Sequence, residues 1–198
     1  MIGKLGSGKL IIFCDSSKDC YGFCCYLVSE IDGIKSNLVF AKSKVAPGKS
    51  PSLPTLELLS VHLASKCLIS ILDSFVNIEE IVIAMDAQIV LSWILTENVK
   101  AKNILAKNKV KDISLIRQNI LSRYKLNIKF RYIPTAENPA DLVSRGVSYT
   151  NLNKNWDFWA HGPQFLVQIA GKWPEKPLGC LSKTSQLALN TTCQFFCE

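Results

Sequence analysis

"KLIIFCDSSKDCYGFCCYLVSE", Lys9 to Glu30, is the stretch whose reading decides the fold. It holds two apolar runs, Lys9–Asp15 and Tyr21–Glu30, joined by a short polar link. Runs of this length without polar interruption predict strands covered on both faces. "IDGIKSN" (Ile31–Asn37) then supplies an Asp-Gly turn, and "LVFAKSKV" (Leu38–Val45) a third strand. The chain therefore opens as an antiparallel meander. Beyond a Pro/Gly/Ser loop, Thr55–Asp73 has helical spacing, with Leu56, Leu59, Leu63, Cys67 and Ile71 on one face. Ile81–Asp86 reads as a short strand feeding a helix over Ala87–Thr96. A long basic helix follows from about Asn103 to Tyr124, then a strand "NIKFRYI" (Asn127–Ile133) and a short helix within "IPTAENPADLVSRG" (Ile133–Gly146). The order is β-β-β-α-β-α-α-β-α, without internal repeats.

Bulk properties narrow the class. With 198 residues, 48% hydrophobic and 20% charged, the chain can bury a core and has the balance of a soluble globular protein. No apolar run is read as approaching the roughly 20 residues of a membrane span. The start, "MIGKLGSGKLIIF", lacks the long apolar segment and cleavage site of a signal peptide. The expectation is an intracellular, cytoplasmic protein, in which the Asn190 sequon has no role. Eight cysteines stand at 14, 20, 24, 25, 67, 180, 193 and 197 without paired C-x-x-C spacing, and there are only two histidines. That argues against a zinc ribbon or finger. Cys14, Cys24, Cys25 and Cys67 lie in apolar runs and read as small buried hydrophobes.

The net charge of +7 is concentrated in one segment. Val99–Arg131 carries ten Lys/Arg and one acid, Asp112, leaving 13 basic and 15 acidic residues elsewhere. A solvated helix face explains part of this. The excess beyond that is the footprint of a surface that tracks a polyanion, with Lys102, Lys107, Lys109 and Lys111 as candidate phosphate contacts.

Four acids fall at matching places in the element order. Asp15 ends the first strand, Glu57 opens the first helix, Asp86 ends the fourth strand and Asp141 opens the last helix. Strand ends and helix starts gather at one edge of an α/β sheet, where sites form. Each acid alone has a plain reading: Asp15 as a turn former, Asp86 as an N-cap, Glu57 and Asp141 as helix-start charges, with Asn138-Pro139 capping a surface helix. Together, four carboxylates repel one another unless cations neutralise them. Hard oxygen donors without imidazole or thiolate favour Mg²⁺, or Mn²⁺, over zinc. Two such ions about 4 Å apart suit phosphodiester cleavage.

Read with their surroundings, these residues resemble the ribonuclease H superfamily, and within it the RNase H domain of BEL/Pao-type retrotransposon polyproteins. The stretches that carry the resemblance are "FCDSSKDCYG", "AKSKVAPGKSPSLPTLEL", "MDAQIVLSWI", "IPTAENPADLVSRGVS" and "WDFWAHGPQFL", spanning roughly residues 10 to 166. The resemblance implies an α/β ribonuclease H-like fold: a mixed five-stranded sheet, three antiparallel strands then parallel additions, flanked by helices. It implies that Asp15, Glu57, Asp86 and Asp141 are catalytic and bind two Mg²⁺ ions, and that Gln88 contacts the substrate backbone. There are two departures. Ala87 stands where the family has Ser, and Tyr132 where it has His, which makes Tyr132 a candidate auxiliary residue.

The leading expectation is an endonuclease that cuts the RNA strand of an RNA–DNA hybrid. An integrase-like polynucleotidyl transferase would need a late Glu, where this chain has Asp141. The third possibility is a non-catalytic nucleic-acid-binding remnant. Neither a Tyr-x-Asp-Asp nor an Asp-Thr/Ser-Gly motif is present, so the chain reads as a polyprotein fragment with a reverse transcriptase domain upstream. Residues 1–150 are expected to form the nuclease domain and 151–198 a C-terminal extension, with Trp156 and Trp159 anchoring it. "GKLGSGKL" (Gly3–Leu10) nearly fits a phosphate loop, but it precedes a strand and has Leu10 at the Ser/Thr position. His62 reads as a core residue and His161 as structural.

Overall fold

The computed structural model describes residues 8–30, 33–48, 51–99, 103–168 and 173–174. Lys102, Cys180, Cys193, Cys197 and the tail after Pro174 lie outside these residues, as do Ile31 and Asp32 of the expected turn.

The meander is present as β1 (Gly8–Ser16), β2 (Cys20–Ser29) and β3 (Lys35–Val45), antiparallel throughout. β4 (Ile78–Met85) pairs parallel to the free side of β1, and β5 (Ile128–Tyr132) parallel to β4. The sheet order is β3-β2-β1-β4-β5. β1 and β4 are central and buried on both faces, which explains their unbroken apolar runs. Side chains alternate along β1: Leu10, Ile12 and Cys14 enter one core, Ile11 and Phe13 the other.

The first core lies under α1 (Leu53–Asp73), α2 (Gln88–Thr96) and α3 (Ile104–Tyr124). Pro54 is tolerated in the first turn of α1 because no backbone N–H is needed there. By length and hydropathy α1 could cross a membrane, contrary to the expectation from apolar run lengths. However, 72% of its most apolar window is buried, and it packs between the sheet and α3. Asn103 caps α3 by accepting from the Ala106 N–H at 3.0 Å, and Lys125 ends it at a left-handed φ of 59°. His62 is buried on α1 with Nε2 3.2 Å from an Asp112 oxygen on α3, the core role expected of it.

α4 (Asp141–Arg145) and the extension cover the second face of the sheet. The extension comprises α5 (Tyr149–Lys154), α6 (Trp156–His161) and a 3-10 turn over Gln164–Val167. Phe165 and Leu166 are buried against Ile11, Phe13 and Tyr26. The Tyr26 hydroxyl donates to the Trp159 carbonyl at 2.9 Å, and His161 Nδ1 donates to the Ser36 carbonyl at 3.0 Å. Trp159 packs on this core, whereas Trp156 is 54% exposed and is not among the residues packed against it. Gly162 sits at φ 74°, where a Cβ would meet Leu166 at 2.7 Å, so this turn requires glycine. Packing runs continuously across residue 150.

Cys14, Cys24 and Cys25 are buried free thiols, and Cys67 is half-buried. Burial pushes the first three well up, as expected of small core residues.

Candidate active site

The four acids meet at the end of the sheet where β1 and β4 finish. Asp15 is the penultimate residue of β1, opposite Gly22 on β2. Asp86 follows the last residue of β4, and the final parallel pair, Cys14 with Met85, sets the two side by side. Asp141 is the first residue of α4. Glu57 comes from α1, but the helix begins at Leu53, so Glu57 lies beyond its first turn and is no helix-start charge. Asp86 is no N-cap either: Ala87 holds that position in α2, without a side-chain bond.

Gly22 lets α4 reach this edge. A Cβ there would fall 2.6 Å from the Lys42 carbonyl oxygen and 2.7 Å from Val143 Cγ1 of α4. The missing side chain is the gap that α4 fills opposite Asp15.

The carboxylates sense one another. Burial pushes Asp15 up to about 6, and the negative charges of Asp86 and Asp141 add to the shift while the Ser144 hydroxyl opposes it. Burial likewise pushes Glu57 up to about 7, helped by Asp86 and Asp15. Three of the four also accept a hydrogen bond. Ser144 Oγ donates to Asp15, Thr135 Oγ1 to Asp86 at 2.6 Å, and Arg145 Nε to Asp141 at 2.7 Å. Among the described residues, no three His, Cys, Asp or Glu side chains converge closely enough to enclose a metal ion as they stand. The set offers hard oxygen donors, and in Asp15 and Glu57 burial and neighbouring negative charge oppose ionisation. In charge and chemistry it fits a divalent cation such as Mg²⁺.

Two polar residues of the same motif are 2% exposed, Asn138 and Ser144. Asn138 is not a surface cap. Its Nδ2 donates to the Cys14 carbonyl at 3.0 Å, across 124 residues of sequence. Spacing gives no sign of this contact.

Gln88, the first residue of α2, is exposed two residues past Asp86. Tyr132 ends β5 opposite Met85 and packs half-buried on the first core. Lys107 and Lys111 are exposed one turn apart on α3. Lys109 points elsewhere: it is half-buried, with Nζ 3.3 Å from Asp112.

A mixed sheet in the order β3-β2-β1-β4-β5 with flanking helices is the ribonuclease H-like fold, and here acids stand at the β1 and β4 ends. Residues 3–87 match the family model described as "Pao retrotransposon-like RNaseH-like domain", which bears out the resemblance carried by the motifs. Asp141 and the Trp156–Pro163 element lie beyond that match. No curated protein matches the chain in sequence. Among solved structures, the chain is similar to LC11-RNase H1, isolated from compost and solved in complex with an RNA/DNA hybrid. That match has 18% identity and a TM-score of 0.50, and covers 75% of this chain and 99% of that one. RNase H1 from Halobacterium salinarum NRC-1 matches at 12% identity over 68% of this chain and 88% of that one, with a TM-score of 0.44. The Prototype Foamy Virus protease-reverse transcriptase matches at 14% identity over 62% of this chain and 17% of that one, with a TM-score of 0.40.

Proposed function

We propose that the protein is a metal-dependent ribonuclease H that cuts the RNA strand of RNA–DNA hybrids. It would work inside the cell beside a reverse transcriptase domain of its parent polyprotein. The observation that carries this reading is the gathering of acids at one sheet edge, where the charges of Asp86 and Asp141 bear on Asp15 and those of Asp86 and Asp15 on Glu57. These four residues would hold two Mg²⁺ ions, with Mn²⁺ as a substitute. Bound there, the ions would supply Lewis-acid stabilisation of charge at the scissile phosphate. The chain's own part would be to present carboxylates from β1, α1, the residue after β4 and α4, and to keep Asp15 away from bulk water. Gln88 and the exposed Lys107 and Lys111 would bind backbone phosphates. A-form shape and 2′-OH contacts would select hybrid over DNA duplex.

The test is a labelled RNA–DNA hybrid incubated with and without Mg²⁺, beside double-stranded DNA. Mg²⁺-dependent cutting of the RNA strand alone supports the proposal. The three carboxylates already engaged by Thr135, Ser144 and Arg145 favour a second reading, a binding module without catalysis. Hybrid retention with no cutting at any Mg²⁺ or Mn²⁺ concentration would establish that one instead.

A pH signature follows from Glu57. Its carboxyl titrates higher in the folded chain than in the unfolded one, at about 7 against an ordinary 4.5. Its contribution to stability is therefore fully present below about pH 4.5 and lost as pH rises through 7. His62, pushed down by burial, works in the opposite direction, so comparison with a variant isolates the carboxyl. In EDTA, Glu57→Gln should match the wild type at about pH 4 and melt roughly 2–6 °C higher at pH 7.5, after allowing for partial exposure. Saturating Mn²⁺ at pH 7.5 should raise the wild-type melting temperature and close the gap. Equal melting temperatures at both pH values without metal would refute the buried-charge account of Glu57.

The basic helix makes its own prediction. Lys107→Gln with Lys111→Gln should weaken hybrid binding alike for every sequence and flatten the log–log salt slope by roughly two in total. Lys109→Gln should change it less, because Asp112 already neutralises that ammonium. Binding measured across a series of rising salt concentrations checks this. An unchanged slope in the double variant returns α3 to a merely solvated face.

A further inference from the structure

Four acids from four separate segments need something to hold them in register. We infer that Asn138 and Ser144 are positioning residues for the acid cluster, pinning the Asp141 segment onto the end of β1 so that Asp15 and Asp141 act on the same ion. The inference rests on the nuclease reading and names residues that reading does not use.

The two residues flank Asp141 symmetrically, three positions before and three after, and both are 2% exposed. Three side-chain bonds join their segment to the end of β1 and the turn that follows it, at residues 14, 15 and 17. Asn138 Nδ2 donates to the Cys14 carbonyl at 3.0 Å, just before Asp15. Ser144 Oγ donates to Asp15 Oδ2 itself. Ser17 Oγ, two residues past Asp15, donates back to the Ser144 carbonyl at 2.7 Å. Asn138 is in turn oriented by its Oδ1, which accepts from the Ala140 N–H at 3.2 Å.

The geometry accounts for the chemistry of each side chain. The β1–β4 ladder has its last pair at Cys14 and Met85, and the Met85 carbonyl is taken by the Ile133 N–H at 2.9 Å. At that ladder end the buried Cys14 carbonyl needs a donor, and a side-chain amide supplies one while its oxygen fixes the following turn. Ser144 offers Asp15 a single hydrogen bond. That bond, with one from the Ser16 backbone, orients the carboxylate. Groups that orient metal ligands in this way govern affinity, although they never touch the metal.

The test uses the full chain and four proteins: wild type, Ser144→Ala, Ser144→Thr and Asn138→Ala. Metal-free melting temperature, Mn²⁺ affinity by calorimetric titration and the Mg²⁺ dependence of hybrid cleavage are measured for each. Ser144→Ala and Asn138→Ala should bind Mn²⁺ roughly 10- to 100-fold more weakly, with cleavage recovering toward the wild-type rate as Mg²⁺ is raised. Ser144→Thr keeps the hydroxyl and should restore affinity. If Asn138→Ala does not fold, the two Ser144 variants decide alone. Wild-type Mn²⁺ affinity in Ser144→Ala, whatever its melting temperature, would overturn the positioning role and leave the nuclease reading intact. So would a folded Ser144→Thr that binds as weakly as Ser144→Ala. Failure of the wild type itself to bind Mn²⁺ would instead remove the nuclease reading and this inference with it.

Discussion

Asp15→Asn and Asp86→Asn should each lower hybrid cleavage by roughly 10³-fold or more, about 4 kcal/mol of barrier. Each change removes one negative charge and keeps the shape of the side chain. In the variants, the new amide oxygen at position 15 could still accept from Ser144, and the one at position 86 from Thr135. The hydrogen bonds that organise the edge therefore remain available. What disappears is the charge that would bind and orient the cations. Asp15→Asn should not cost stability without metal. Asp15 is 5% exposed and lies among like charges, so neutralising it relieves a burial cost. Lost activity together with an equal or higher melting temperature at pH 7.5 in EDTA is the expected pair of results. Near-wild-type cleavage by both variants would remove these residues from the chemistry.

Phe165→Ala should destabilise the fold by about 3–5 kcal/mol, a large share of the total stability of a domain. Phe165 is 8% exposed and meets Phe13 edge-on with ring centroids 6.4 Å apart, and its ring lies 5.1 Å from that of Trp173. The Arg131 guanidinium sits over Trp173 at 5.2 Å, joining β5 to the same stack. Removing the extension after Lys154 should do more damage. It would bare Phe13, Tyr26 and Val28 of the second core, and that truncated chain should fail to fold or should aggregate. Urea denaturation checks the point variant, and circular dichroism with size-exclusion chromatography checks the truncation. A truncated chain with a wild-type unfolding midpoint would show that the second face needs no cover.

How far the sequence is legible can be judged residue by residue. The strand runs were readable because β1 and β4 are buried on both faces, which leaves an apolar signal that needs no partner to interpret. α1 was readable from Leu56, Leu59 and Ile71, although its near-complete burial between sheet and α3 was not. Asp15, Asp86 and Asp141 could be placed because each stands where an apolar run meets a turn, and such boundaries are local features. Glu57 was placed on the right helix but in the wrong turn, since Pro54 belongs inside the helix rather than before it.

What sequence alone determined is therefore the order of elements, the edge at which the acids gather and the basic character of α3, all of which follow from periodicity and composition along the chain. Tertiary structure decided the rest. It turned Lys109 onto Asp112, buried Asn138 and Ser144 against β1, seated Trp159 but not Trp156, and made the extension part of the second core. The physical reason is the same in each case. A polar group shut away from water must find a partner, and an apolar face must be covered. Which residue satisfies either need depends on what the folded chain brings near, here from more than a hundred positions away.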